Sequence, residues 1–323
     1  MNILTFDIEE WYLEKVNHGG RENLYNLYDE TFCVLLDELD KQNIKATFFC
    51  VGKLAKDFPN VVQEISNRGH EVGCHSNIHT WVNKMTEDEL RQDSIEAIKA
   101  LEDVSGQKVT AYRAPAFSIT TENKWAVNVL ADCGIESDAS IFPTNRDYGG
   151  YKDFPQDTPC VISNEGARLK EYPISLTRIM GKHTAFSGGG YFRVLPLWLV
   201  SKTMANRNYN IFYFHLNDLT HQRLALKSRV EYEEYFKEPG TLKNRLVRYV
   251  KSNISVGDTF SKLRQLLRTS NFCSVAEADK MIDWNKVSNI KLESMKETST
   301  LAQMGGGKYA SIIEFRASKA LAA

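Results

Sequence analysis

The 323-residue chain is poor in histidine, with seven, and its six cysteines include no CxxC pair. Cys33, Cys50, Cys74, Cys133, Cys160 and Cys273 are scattered singly. That is the pattern of free thiols in a reducing compartment, not of a disulfide framework or a structural zinc knuckle. No window reaches 18 consecutive apolar residues, and even IFYFHL is broken by a histidine, so no transmembrane segment is expected. Net charge is −1, which leaves no excess for capturing nucleic acid or an anionic membrane. The start, MNILTFDIEEWY, lacks the basic stretch and long apolar run of an export signal, so the expected location is cytoplasmic. Nothing in the pattern assigns an oligomeric state. What remains is an ordinary globular composition, 42% hydrophobic and 25% charged, in a chain long enough to bury a sizeable core.

Apolar runs with β-branched and aromatic residues alternate with segments of helical periodicity. NILTF reads as a strand, residues 24–42 as an amphipathic helix and IKATFFCV as a buried strand. VVQEISNRG is a helix ending at glycine, HEVGCHS a strand with its outgoing loop, and TEDELRQDSIEAIKALEDVSG a helix with Thr86 and Glu89 as capping box and Gly106 as stop. VTAYRAP, IESDASIF and YNIFYFHL add strands, while TENKWAVNVLADCG, PLWLVSKTMANRN and TFSKLRQLLRTS add helices. Residues 143–193, rich in Gly, Pro, Asn and Asp, read as loops and short strands inserted between the units. Such alternation predicts an α/β fold of parallel strands with helical crossovers, in an open sheet or a barrel.

Three of the seven histidines fall within ten residues, in HEVGCHSNIH. His75 and His79 are spaced i and i+4, which predicts imidazoles on one side of a helical turn. Alone, such a pair reads first as two hydrogen-bonded core histidines; a third ligand changes that. In α/β folds functional groups collect past the carboxyl ends of strands. Asp7, Glu9 and Glu10 follow NILTF, His75 and His79 follow HEVGC, Arg113 ends VTAYR, Asp138 lies in IESDAS and His215 follows IFYF. A carboxylate with two histidines makes an N,N,O site suited to zinc with positions open for water and substrate. A second carboxylate oriented by Arg113 can act as general base, and His215 can protonate a leaving group. Together these parts predict metal-assisted hydrolysis of an amide or ester.

TFDIEE, ATFFCVG, GHEVGCHSNIH, RAPAFS, SDAS and FYFHL occur in an order that resembles the polysaccharide deacetylases, the NodB-homology domains of carbohydrate esterase family 4. The resemblance implies a distorted (β/α) barrel as a single catalytic domain over residues 1–272, with a C-terminal helix and tail over 273–323. It implies Asp7 as base, His215 as acid, Arg113 orienting the base, and Asp138 near His215 or the arginine. Glu9, His75 and His79 would hold a divalent metal, zinc before cobalt, nickel or manganese. Ile8 follows Asp7 where the family commonly has a second aspartate, so Glu9 is the expected ligand and Glu10 the substitute. The partner implied is an N-acetylated sugar or glycan precursor, with a backbone N–H near Pro115 and Phe117 facing the oxyanion. SGGGYFRVLP resembles a segment of deacetylases associated with surface or exopolysaccharides, with Tyr191 and Arg193 set to contact sugar. Trp81 flanks the site and can stack on a pyranose ring. Two rival readings stay open: a hydrolase of small cyclic amides or ureides, and a glycan-binding module without catalysis.

Overall fold

The computed structural model describes residues 1–295, apart from 147, 180, 221–224, 237–238 and 254–257. Its strands are β1 (Asn2–Ile8), β2 (Thr47–Cys50), β3 (Glu71–Cys74), β4 (Ala111–Tyr112), β5 (Ser137–Asp138), β6 (Cys160–Asn164), β7 (Ala167–Glu171), β8 (Leu176–Ile179), β9 (Lys182–Ala185), β10 (Asn210–His215) and β11 (Asn289–Lys291). Nine of them form one sheet in the order β10-β1-β2-β3-β4-β5-β7-β6-β11, and β8 and β9 pair separately. Within the nine, only the β6–β7 pair is antiparallel.

Alternation along β1 explains the layers. Leu4, Phe6 and Ile8 join the core beneath the surrounding helices, while Ile3 joins a second core with Phe49, Ala111, Ala139, Tyr172 and Ile211. Thr5 and Asp7 share the phase of Ile3 and so face the enclosed side. The sheet curls until β10 meets the chain beyond β7: Ile211 N–H donates to Ser175 Oγ (3.0 Å), Tyr209 O–H to Pro173 O (2.9 Å), and Tyr213 N–H to Ser187 O (3.0 Å). Single contacts replace a continuous ladder at that seam, so the fold is a distorted α/β barrel. The expected capping box is present: Glu89 N–H donates to Thr86 Oγ1 and Thr86 N–H to Glu89 Oε2, at the start of the helix Glu87–Ser105, which Gly106 ends at φ 66°. Caps of this kind are worth about 1 kcal/mol.

The chain past residue 272 is continuous with the barrel. Cys273 N–H donates to Asn2 O, Leu4 N–H to Cys273 O, and Val275 N–H to Thr47 Oγ1, while β11 extends the sheet beside β6. A boundary at 272/273 would cut these bonds. The remainder of the expected tail, 296–323, lies outside the described residues.

His70 is buried at the head of β3, with Nδ1 accepting from Ala46 N–H at 3.3 Å and its ring against Phe48 at 5.1 Å. Burial, reinforced by Lys45, lowers its pKa to about 4. The unfolded chain therefore binds a proton between about pH 6.5 and 4 that the folded chain refuses, so stability falls as pH falls through that window, by about 3 kcal/mol in full. In urea titrations His70→Gln is expected to lose this part of the pH slope; parallel wild-type and variant slopes would refute it.

Candidate active site

Asp7 leaves the carboxyl end of β1 on the enclosed side and meets Arg113, which follows β4. Arg113 Nη1 donates to Asp7 Oδ1 (2.8 Å) and Thr5 Oγ1 (2.8 Å), its Nε to Ala139 O (3.1 Å), and its guanidinium lies over the Phe49 ring at 4.3 Å. Burial pushes the Asp7 carboxyl up, but Arg113, with His75 and His215, more than reverses this and leaves it below its ordinary value.

His75 and His79 do converge, though not on a helical turn. The chain leaves β3 as a loop in which Ser76 (φ 64°) and His79 (φ 61°) are both left-handed. Asp93 holds this loop, accepting from Asn77 N–H at 2.8 Å, and Gly52 N–H donates to Ser76 O at 2.9 Å. The two rings end 5.2 Å apart. Sequence spacing suggested i, i+4 geometry; two strained residues produce the convergence instead, each costing about 1–2 kcal/mol.

His75 Nδ1 lies 2.7 Å from the Arg113 carbonyl oxygen, which can only accept, so the proton sits on Nδ1 and Nε2 presents a lone pair. That lone pair faces Glu9 Oε2 at 3.5 Å, and His79 Nε2 is 2.6 Å from the same oxygen. Two acceptors pointed at each other need a cation or proton between them. Glu9, His75 and His79 have their ligand atoms within 4.8 Å of one another and form, among the described residues, a group able to hold a metal ion. The donor set, two imidazoles and one carboxylate, fits zinc and its first-row neighbours.

Glu10 is turned away. Its carboxylate accepts from Asn217 N–H at 2.9 Å and from Glu9 N–H at 3.3 Å, and burial followed by the charge of Glu9 raises its pKa to about 7. The geometry therefore favours Glu9 as the ligand. Across the mouth, His215 Nε2 stands 3.8 Å from Asp7 Oδ2 and 3.8 Å from Glu9 Oε1. Asp218, which sequence reasoning missed, accepts from His215 N–H (3.0 Å) and lies 3.5 Å from His215 Nδ1. Burial lowers the His215 pKa, but Glu9, Asp218 and Asp7 overcome it and leave it raised. The signal available for Asp218 was a carboxylate three residues after a strand-ending histidine, the spacing of a helix cap.

Other expected residues occupy different places. Asp138 lies within reach of the Arg113 charge, while its hydrogen-bond partners are Ser140 Oγ (2.5 Å) and the Glu171 carboxyl, and Ser140 Oγ in turn accepts from Ala114 N–H (2.8 Å). It props the backbone that follows Arg113. Phe117 is core, packed on Phe142 and Tyr213, and Pro115 is buried, so the expectation for this stretch rests on its backbone N–H groups. Tyr191 and Arg193 are half-buried. Trp81 packs against Tyr148, the two rings tilted with centroids 4.8 Å apart. The SGGG glycines serve the protein itself: a Cβ on Gly188 would strike the Tyr213 ring, and one on Gly189 the Asp218 carboxylate.

A polysaccharide deacetylase family model matches residues 4–137, the stretch that carries Asp7, Glu9, both histidines and Arg113. Residues 4–137 belong to the polysaccharide deacetylase family. A domain of unknown function, DUF3473, matches residues 139–280, which supply His215 and complete the barrel. The chain is 39% identical over 158 residues to a peptidoglycan-N-acetylglucosamine deacetylase of Bacillus cereus, a match spanning 45% of this chain and 56% of that one. It is 24% identical over 123 residues to a chitooligosaccharide deacetylase of Bradyrhizobium, covering 36% of this chain and 56% of that one. The chain thus spans little more than half the length of these relatives. A Mycobacterium smegmatis protein described as a candidate polysaccharide deacetylase shares the fold, with TM-score 0.59 at 17% identity over 92% of this chain and 93% of that one.

Equilibrium dialysis of zinc is expected to show at least tenfold weaker binding for Glu9→Ala and for His75→Ala, with Glu10→Gln close to wild type. Equal losses at Glu9 and Glu10 would contradict the assignment.

Proposed function

We propose that the chain is a metal-dependent N-deacetylase acting on an amino sugar of a glycan or glycan precursor, with zinc as the preferred ion. One observation carries the reading: an ionised, arginine-held carboxylate and a histidine stand 3.8 Å apart, the histidine also 3.8 Å from Glu9 of a three-ligand group. A base and an acid placed together beside a Lewis-acid position are what amide hydrolysis needs and what mere binding does not. The names of the peptidoglycan and chitooligosaccharide relatives support the substrate class.

A divalent cation on Glu9, His75 and His79 would polarise a water and the acetamide carbonyl. Asp7 takes the water's proton through Oδ2, since Oδ1 is occupied by Arg113. Oxyanion stabilisation falls to the loop after Arg113. There the N–H of Ala114 goes to Ser140, that of Phe117 to Ala114 O and that of Ser118 to Pro115 O, and Pro115 has none. The Ala116 N–H is left, on a residue held at φ 55°, as the candidate donor. His215 then delivers a proton to the departing amine, with Asp218 fixing its orientation.

The direct test is acetate release from N-acetylated glucosamine and muramic acid oligosaccharides by metal-stripped and zinc-reloaded protein, with a cyclic ureide as a second substrate. Reloaded wild type is expected to release acetate, and Asp7→Asn and His215→Ala to lower kcat about a hundredfold or more. Ureide turnover without acetate from any glycan would overturn the reading. Gly189→Ala, which displaces Asp218, is expected to lower kcat about tenfold while leaving zinc affinity unchanged; an unaltered kcat would remove Asp218 from the proposal.

A further inference from the structure

The helix Leu242–Asn253, LKNRLVRYVKSN, is turned inside out. Its exposed side chains, apart from Lys243, are apolar: Leu242 at 60%, Leu246 at 43%, Val247 at 44% and Tyr249 at 37%. Three of its polar side chains point toward the protein. Asn244 Nδ2 donates to Pro239 O (2.9 Å), Arg245 Nε to Lys227 O (2.8 Å), and Arg248 Nη2 to the Tyr148 hydroxyl (2.5 Å). At about 3.6 residues per turn, Leu242, Leu246 and Tyr249 make one stripe, with Lys243 and then Val247 to one side of it. A surface helix of a soluble domain ordinarily buries such a stripe.

Charge narrows the choice of what covers it. The segment holds Lys243, Arg245, Arg248 and Lys251 and no acid, although the whole chain has net charge −1. On the preceding helix, Arg229–Phe236, two acids are engaged: Glu231 accepts from Ser228 N–H, and Glu233 from Arg229 Nε and Gly240 N–H. Exposed Leu, Val and Tyr on a helix about 18 Å long with flanking lysines match an element lying in the plane of an anionic lipid surface. The helix is also tied to the rim of the site, with the Arg248 guanidinium over the Tyr148 ring at 5.2 Å and that ring against Trp81, two residues past His79.

We propose that the helix Leu242–Asn253 docks the protein on an anionic bilayer, with its apolar stripe in the headgroup region and the mouth of the site beside the membrane. Resting on the deacetylase reading, this makes the substrate a glycan carried on a lipid or held at the membrane surface.

The full chain is sedimented with vesicles of phosphatidylcholine alone and of phosphatidylcholine mixed with phosphatidylglycerol. Binding is expected only with the anionic lipid and should weaken as salt rises. Leu246→Asp and Lys243→Glu should each weaken it about tenfold, while acetate release from a soluble N-acetylated oligosaccharide stays at the wild-type level. Vesicle binding without deacetylation would support the docking surface and reject the catalytic reading. No binding to anionic vesicles, or equal binding by Leu246→Asp, would overturn the proposal. So would a concentration-dependent dimer that Leu246→Asp dissociates, or vesicle binding that appears only once residues 296–323 are removed; these assign the stripe to a second copy or to the chain's own tail.

Discussion

Arg113 is the residue on which the rest of the site depends. Its side chain is fully buried beside an Asp7 that is only 3% exposed, and its guanidinium joins β1 to the segment after β5 through Asp7, Thr5 and Ala139. Its carbonyl fixes the tautomer of His75, and its N–H closes the ladder to Cys74. One residue therefore ionises the proposed base and aims the proposed metal ligand. Removing either charge of such a buried pair leaves the other uncompensated, at a cost of about 3–5 kcal/mol. The same low dielectric that makes the pair costly to break also keeps it from being satisfied by water.

Around this pair the backbone is held in conformations that side chains ordinarily avoid. Ser76 and His79 in one loop, and Ala116 and Phe117 in another, are left-handed without being glycine. Asp93 over-determines the first loop, and Ser140 with Asp138 and Glu171 the second. The strain turns His79 back toward His75 and leaves the Ala116 N–H free of internal acceptors in its own turn. Gly188 and Gly189 do the complementary work, removing side chains so that Tyr213 and Asp218 can close against the seam where β10 completes the barrel.

Much of this was legible in the sequence, and for physical reasons. Strands that read as continuous apolar runs end in polar groups, so Asp7, Glu9, His75, Arg113 and His215 could be placed at one mouth before any coordinates. The choice between Glu9 and Glu10 could not be made, because it depends on Asn217 N–H, 207 residues away, which draws Glu10 aside. Asp138, expected near His215 or the arginine, does feel the charge of Arg113, but its hydrogen bond to Glu171 could not be foreseen, because Glu171 lies on β7, within a stretch that reads only as loops and short strands. The convergence of His75 and His79 was foreseen, but through the wrong geometry, since positive φ at a histidine has no sequence signature. Whole-chain charge hid the basic helix, because averaging cancels a local cluster.

The account stands or falls on one shared point in space, reached by a carboxylate from β1 and two imidazoles from the loop after β3. Anomalous diffraction at the zinc edge, from crystals of the full chain grown with zinc, measures it directly. A single ion is predicted about 2.0–2.2 Å from His75 Nε2, His79 Nε2 and a Glu9 oxygen, with Glu10 still on Asn217. An ion bound elsewhere, or a Glu9 carboxylate that stays on His79 with no ion beside it, would contradict the account.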